Sequence, residues 1–247
     1  MSEKIGKYIY CVISAGGAEI VGTGMAGQPL QTITCRNIAA VVSDAPIARY
    51  RTSRDNLMCH ETAIEEAMKT HCVLPVKFAT VAENEPKVKN ILEREYAKFQ
   101  DMLVKMKNQK ELGIKAVFLD DRIYPYLLEK HEDIRALKAT IMGKPPEKTH
   151  FQRMKIGEMV ENALLQEVGI CRDDIVNLLS PLSNDTKLNR TFGEKMIINA
   201  AFLVDKEKIP QFDRKVEDID AKYGEMVKLK YVGEVPPFNF VNLTIQV

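Results

Sequence analysis

The chain has no tryptophan, no excess of either charge, no Cys-x-x-Cys pair and no apolar run of bilayer length. Each absence excludes something. With 35 Lys and Arg against 34 Asp and Glu, no global field steers the protein onto nucleic acid or an anionic membrane. Its five cysteines, Cys11, Cys35, Cys59, Cys72 and Cys171, are odd in number and scattered. That predicts reduced thiols used as small hydrophobes, not a disulfide framework. The most apolar late stretch, Met196 to Val204, has nine residues including Asn199, against the roughly 20 a membrane helix requires. Near the start, Lys4 and Lys7 precede an apolar Tyr8–Ile13 run that is short for a signal peptide and rich in strand formers. These features predict a cytoplasmic protein.

What is present is an ordinary globular composition. The 247 residues are 45% hydrophobic and 28% charged, enough for one or two domains with sizeable cores. Lys7–Ser14, Leu30–Cys35 and Ile38–Val42 read as strands, with Arg36-Asn37 as a tight connection between the last two. A helix is predicted over Arg54–Thr70, where Leu57, His60, Ile64, Ala67 and His71 recur at spacings of three and four. Val73–Phe78, interrupted by Pro75, suits an edge strand. Asn84-Glu85-Pro86 starts a helix that the apolar spacing carries to about Lys107.

The polar stretch around Asn108 reads as a domain boundary, dividing residues 1–109 from 110–247. Beyond it come a strand at 112–119, helices at 126–142 and 147–168, and a short helix at 173–179. Strands at 188–192 and 195–204, a helix at 207–223 and a last strand at 226–231 follow. The expected class is α+β in two domains. The second is a modified ferredoxin-like domain, β-α-α-β-β-α-β, with a proline-bearing tail.

Several motifs invite chemistry and have simpler explanations. Gly22-Thr23-Gly24-Met25-Ala26-Gly27 matches a dinucleotide fingerprint. That fingerprint works through a helix N-terminus placed directly after it, whereas here Gln28-Pro29 and a strand follow. A flexible loop is the better account. His60 and His71 are eleven residues apart, or roughly 16 Å along one helix, too far to share a zinc ion. Asp120-Asp121 and Asp173-Asp174 read as caps and solvated turns. Neither cofactor nor metal is predicted, and no catalytic constellation appears.

Four segments exceed what simple packing explains. They are His60-Glu61; Leu74-Pro75-Val76-Lys77-Phe78-Ala79-Thr80; Met196 to Asp205; and the ending Gly233-Glu234-Val235-Pro236-Pro237-Phe238-Asn239-Phe240. In type and order, together with the opening Tyr8–Val12 strand, they resemble the gas vesicle protein F/L family over nearly the whole chain. The Gly-x-x-Pro-Pro-aromatic-x-Phe ending is the most specific part. Two departures stand out: the family's Gly-Pro-Trp-Pro-Pro-Tyr is here Gly233 to Phe238 without Trp, and its Phe-Gly-Thr is Phe78-Ala79-Thr80.

The resemblance implies a non-enzymatic accessory or minor structural protein of the gas vesicle. Such a protein binds the major shell protein and assists nucleation and assembly. Other gas vesicle accessory proteins are further partners, and neither nucleic acid nor lipid membrane is one. The candidate motif or contact residues are His60, Leu74, Pro75, Phe78, Gly233, Pro236, Pro237, Phe238 and Phe240. The low-charge tail from Val235 to Val247 is expected to be required for binding, and alanine at Gly22 and Gly24 to be tolerated. The competing class is a small-ligand-binding or enzymatic ferredoxin-like protein, since this fold hosts many activities.

Overall fold

The computed structural model describes residues 4–241 and 243–245. The chain divides into two compact units, one running to Glu111 and resuming at Glu234, the other Leu112–Gly233. The sequence places the tail with the second domain, but the structure places it with the first. The cause is burial: Val241 and Leu243 enter the same apolar cluster as Leu74, Phe99 and Leu103. Asn242, Gln246 and Val247 of the tail lie outside the described residues.

The first unit is a sheet covered on both faces. Strands β1 (Ile5–Ser14), β2 (Gln31–Cys35), β3 (Ile38–Pro46) and β4 (Val73–Pro75) lie in the order β2-β3-β1-β4, and β5 (Val81–Ala82) pairs with β1. All of these pairings are antiparallel. Pro75 tolerates its place because β4 ends the order. Helix α1 (Arg54–Met68) starts where the Ser53 hydroxyl accepts from the Asn56 amide; α2 (Glu85–Arg94) starts where Asn84 accepts from Lys87.

A register shift in β1 between Ile9 and Cys11 leaves Tyr10 as the extra residue against β3. Such a bulge displaces the two-residue alternation by one. Tyr8, Tyr10, Cys11 and Ile13 therefore fall in one cluster with Ile64 of α1, while Ile9 and Val12 join the cluster of Val88, Leu92 and Phe99. The helix expected over 84–107 is two, α2 and α3 (Tyr96–Met106), parted at Glu95 with φ −98 and ψ 12. Val88, Ile91, Leu92, Phe99 and Leu103 all remain buried across the break. The apolar spacing is thus continuous, and spacing alone cannot reveal the kink.

The second sheet has the strands β6 (Gln109–Phe118), β7 (Asp185–Leu188), β8 (Met196–Asp205) and β9 (Val227–Val235) in the order β7-β8-β6-β9, the unit boundaries falling within β6 after Glu111 and within β9 after Gly233. The end of β6 meets the starts of β8 and β9, since the Phe118 amide donates to Lys195 and the Leu119 amide to Met226. That is the antiparallel ferredoxin-like order. Helices α4 (Asp120–Lys130), α5 (Glu132–Ile141), α6 (His150–Leu179) and α7 (Ile209–Tyr223) complete it.

Helix α4 begins before Pro125, which sits inside it and forgoes one bond to the carbonyl four residues earlier. The two helices expected over 147–179 are the single 30-residue α6. Ala163, Leu164, Glu167, Cys171, Ile175 and Leu179 form one continuous buried face, which overrides Gly169 and Asp173-Asp174. Asp174, far from capping, accepts from Lys222 and Tyr223, each at 2.7 Å. Strand β7 lies earlier than expected and leaves Phe192 exposed. All five thiols are free.

Candidate functional site

The bulged β1 strand and α1 build an aromatic cluster beneath the sheet. His60 projects from α1, its ring centroid 5.7 Å from each of Tyr8, Tyr10 and Phe78. Its Nε2 lies 3.1 Å from the Val76 carbonyl oxygen, and since a carbonyl only accepts, Nε2 carries the proton. Nδ1 is then a bare acceptor, buried and without a partner among the described residues. Burial pushes the His60 pKa down to about 4, with the Val76 bond opposing that shift. The ring is neutral at neutral pH.

The two tyrosines each support a loop. The Tyr8 hydroxyl accepts from the Ala79 amide at 2.8 Å. The Tyr10 hydroxyl accepts from the Met25 amide at 2.6 Å and bonds the Ser43 hydroxyl at 2.7 Å. Burial raises both phenols, Tyr10 up to about 12. A Cβ on Gly24 would stand 2.1 Å from the Tyr10 hydroxyl oxygen. The glycine-rich stretch therefore folds over a phenol that takes the first amide of its three-residue 3-10 turn, Met25–Gly27, and β2, not an α-helix, follows it. Alanine at Gly24, expected together with alanine at Gly22 to leave binding intact, meets this hydroxyl.

The second construction is the C-terminal strap. Around Pro237 the chain turns tightly, with the Phe240 and Val241 amides donating to the Pro237 carbonyl at 3.1 and 2.8 Å. Glu111, only 3% exposed, accepts from the Asn239 backbone amide at 2.8 Å and from its side-chain amide at 2.5 Å. The Lys77 amide donates to the Leu243 carbonyl at 3.2 Å, and Val76 bridges Leu243 in parallel. The Leu74–Thr80 segment thus pairs with Leu243 of the strap, beyond the C-terminal motif.

Of the nine candidate residues, His60, Leu74, Pro75, Pro236 and Pro237 are buried, and Phe78 and Phe240 half-buried. Gly233, in β9 of the second unit, is exposed, and Phe238 is 39% exposed. Phe238 is therefore an apolar ring displayed between pinned neighbours. Sequence reasoning took Tyr8 and Tyr10 as strand residues only, named Asn239 only as part of the C-terminal segment, and did not single out Glu111. The bulge leaves no local mark, and a pair 128 positions apart leaves none either.

No group of three His, Cys, Asp or Glu among the described residues could hold a metal ion. His60 faces Val76, whereas His71 Nε2 bonds the Gly16 carbonyl at 3.0 Å. One cleft of about 350 Å³ is lined by Gly16, Gly17, Glu19, Gln31, Thr34 and His71. Another is lined by Arg94, Lys98, Phe99 and the strap's Leu243 and Ile245. No helix among the described residues is long and apolar enough to cross a membrane.

The family described as gas vesicle synthesis protein GvpL/GvpF matches residues 6–242. Gas vesicle protein F of Nostoc sp. (strain PCC 7120) is 26% identical over 244 residues, covering 97% of this chain and 99% of that protein. Gas vesicle protein F of Dolichospermum flosaquae is 25% identical, covering 89% and 90%. The crystal structure of gas vesicle protein GvpF from Anabaena sp. PCC7120 superposes with a TM-score of 0.82 at 25% identity, covering 97% of this chain and 99% of that one.

Proposed function

We propose a function from one premise: the chain belongs to the GvpL/GvpF family of gas vesicle synthesis proteins. On this reading it is a non-enzymatic accessory protein, cytoplasmic and associated with the gas vesicle, that binds the major shell protein and assists nucleation and assembly. Other gas vesicle accessory proteins are further partners. The match across residues 6–242 carries the reading.

Physical considerations support it. A gas-filled shell must present an apolar inner face, so its free subunits tend to associate. A helper protein can restrain them only by covering apolar surface transiently, which favours rigidly held aromatic side chains over charge pairs. Phe238 on its clipped strap has that character.

Replacing Phe238 with serine in the full-length chain should sharply reduce co-purification with the shell protein while the circular dichroism spectrum stays unchanged. Undiminished co-purification would move the contact away from the strap. If the unaltered chain also fails to retain the shell protein, the function itself is wrong. Deleting the whole tail is a poorer test, because Val241 and Leu243 belong to the first unit's core.

A further inference from the structure

Two exposed faces of this chain carry opposite charge around an apolar centre. We propose that they bind each other between copies, the outer face of α1 on one chain docking against the α5–α6 corner of the next.

The acidic face lies in the first unit. Helix α1 buries His60, Ala63, Ile64 and Ala67 and turns outward Asp55, Met58, Glu61 and Glu65, spaced by three and four along one stripe. No Lys or Arg occurs between Asp55 and Met68. Among the described residues Glu66 pairs with Lys69, just past the helix end, whereas Asp55, Glu61 and Glu65 have no cationic partner. Met58, at their centre, is 51% exposed.

The basic face lies in the second unit. Residues 135–155 hold six Lys and Arg against the single carboxylate of Glu147. Lys138, Lys144 and Lys148 are exposed and have no ion-pair partner among the described residues. Beside them Met142, Phe151 and Met154 are 74%, 76% and 61% exposed. The corner is built, not slack: Thr149 is buried, its hydroxyl donates to the Pro145 carbonyl at 3.2 Å, and Arg153 Nε donates to it at 2.9 Å.

An exposed cluster of Phe and Met marks an interaction surface. A basic rim around it calls for an acidic partner with an apolar centre, and α1 has that composition. An anionic lipid surface or a nucleic acid would satisfy the corner but repel α1, leaving the second face unexplained. Charge would orient the two faces and the apolar centres would hold them. Because the faces differ, each contact pairs unlike surfaces, one from each copy.

The test is sedimentation of the full-length protein across a concentration series at low and high salt. Concentration-dependent association at low salt, suppressed at high salt, is expected. Lys144→Glu with Lys148→Glu should weaken association by about tenfold or more, and so should Glu61→Lys with Glu65→Lys. All four positions are exposed, so each variant should keep its circular dichroism spectrum and melting temperature. Mixing the two variants should restore association, because each keeps the native face that the other has reversed, and the two reversed faces are complementary as well. A wild type that stays monomeric at low salt would overturn the proposal, as would variants that associate normally or a mixture that does not recover. Binding of the wild type to vesicles containing anionic lipid, abolished by the corner variant alone, would reassign the corner to a membrane surface and overturn it too.

Discussion

Glu111 and Asn239 stand 128 positions apart and meet as a two-pronged clip, one carboxylate accepting both the backbone and the side-chain amide of a single asparagine. Charge-assisted bonds of this kind are stronger than neutral ones. The clip fixes Phe238 and its neighbours relative to the first unit's core.

Glu111→Ala should therefore loosen the strap before it unfolds the unit. A buried pairing of this kind contributes about 1–3 kcal/mol. Limited proteolysis should show faster cleavage between residues 236 and 245, and denaturant unfolding a loss of that size. Unchanged cleavage would mean that Val241 and Leu243 hold the strap by burial alone.

At Gly24 the constraint is steric. A methyl group there collides with the Tyr10 hydroxyl oxygen at 2.1 Å and crowds Ser43 at 2.8 Å. Gly24→Ala should cost about 1–3 kcal/mol, as overpacking does. Tyr10→Phe removes the obstructing oxygen, so the double variant should lose less than the sum of the two single ones. Additive losses in a double-mutant cycle would place the strain elsewhere.

Ala79 offers the opposite change. It adopts φ 64, the left-handed region that costs a residue with a Cβ about 1–2 kcal/mol. The resembling family motif carries glycine at this place, and the backbone angle supplies the reason. Ala79 is exposed, so little packing is lost with its methyl group. Ala79→Gly should raise stability by about 1 kcal/mol, net of the extra freedom glycine gives the unfolded chain. Thermal unfolding checks the sign.

The buried His60 makes stability depend on pH. Its folded pKa of about 4 lies below its ordinary 6.5, so between these values the unfolded chain holds more protons. Stability should be fully present above pH 6.5 and fall as the pH drops towards 4. At about 1.4 kcal/mol per tenfold change in proton affinity, the group accounts for about 3 kcal/mol. Exposed carboxylates titrate in the same range, so the comparison is with His60→Gln, whose amide can still donate to Val76. The variant should lose less stability than the wild type between pH 6.5 and 4. Parallel curves would show that His60 is solvated.

The sequence by itself determined the local elements whose signals are local. β-Branched and aromatic runs marked β1, β2 and β3, the Ser53 and Asn84 caps marked the starts of α1 and α2, and Pro29 after the glycines ruled out a phosphate cradle. The two-domain α+β reading follows from these, and the family resemblance from the residues of the Leu74–Thr80 and Gly233–Phe240 segments. Only the tertiary structure decided what depends on contacts between distant residues. It joined the two halves of α6 through a continuous buried face and kinked the helix at Glu95 without disturbing its apolar spacing. It inserted Tyr10 as a bulge, so that Tyr8 and Tyr10 share a cluster with His60 and Phe78. It also returned the tail to the first unit, because apolar area is buried wherever a complementary surface exists, however far away in sequence that surface lies.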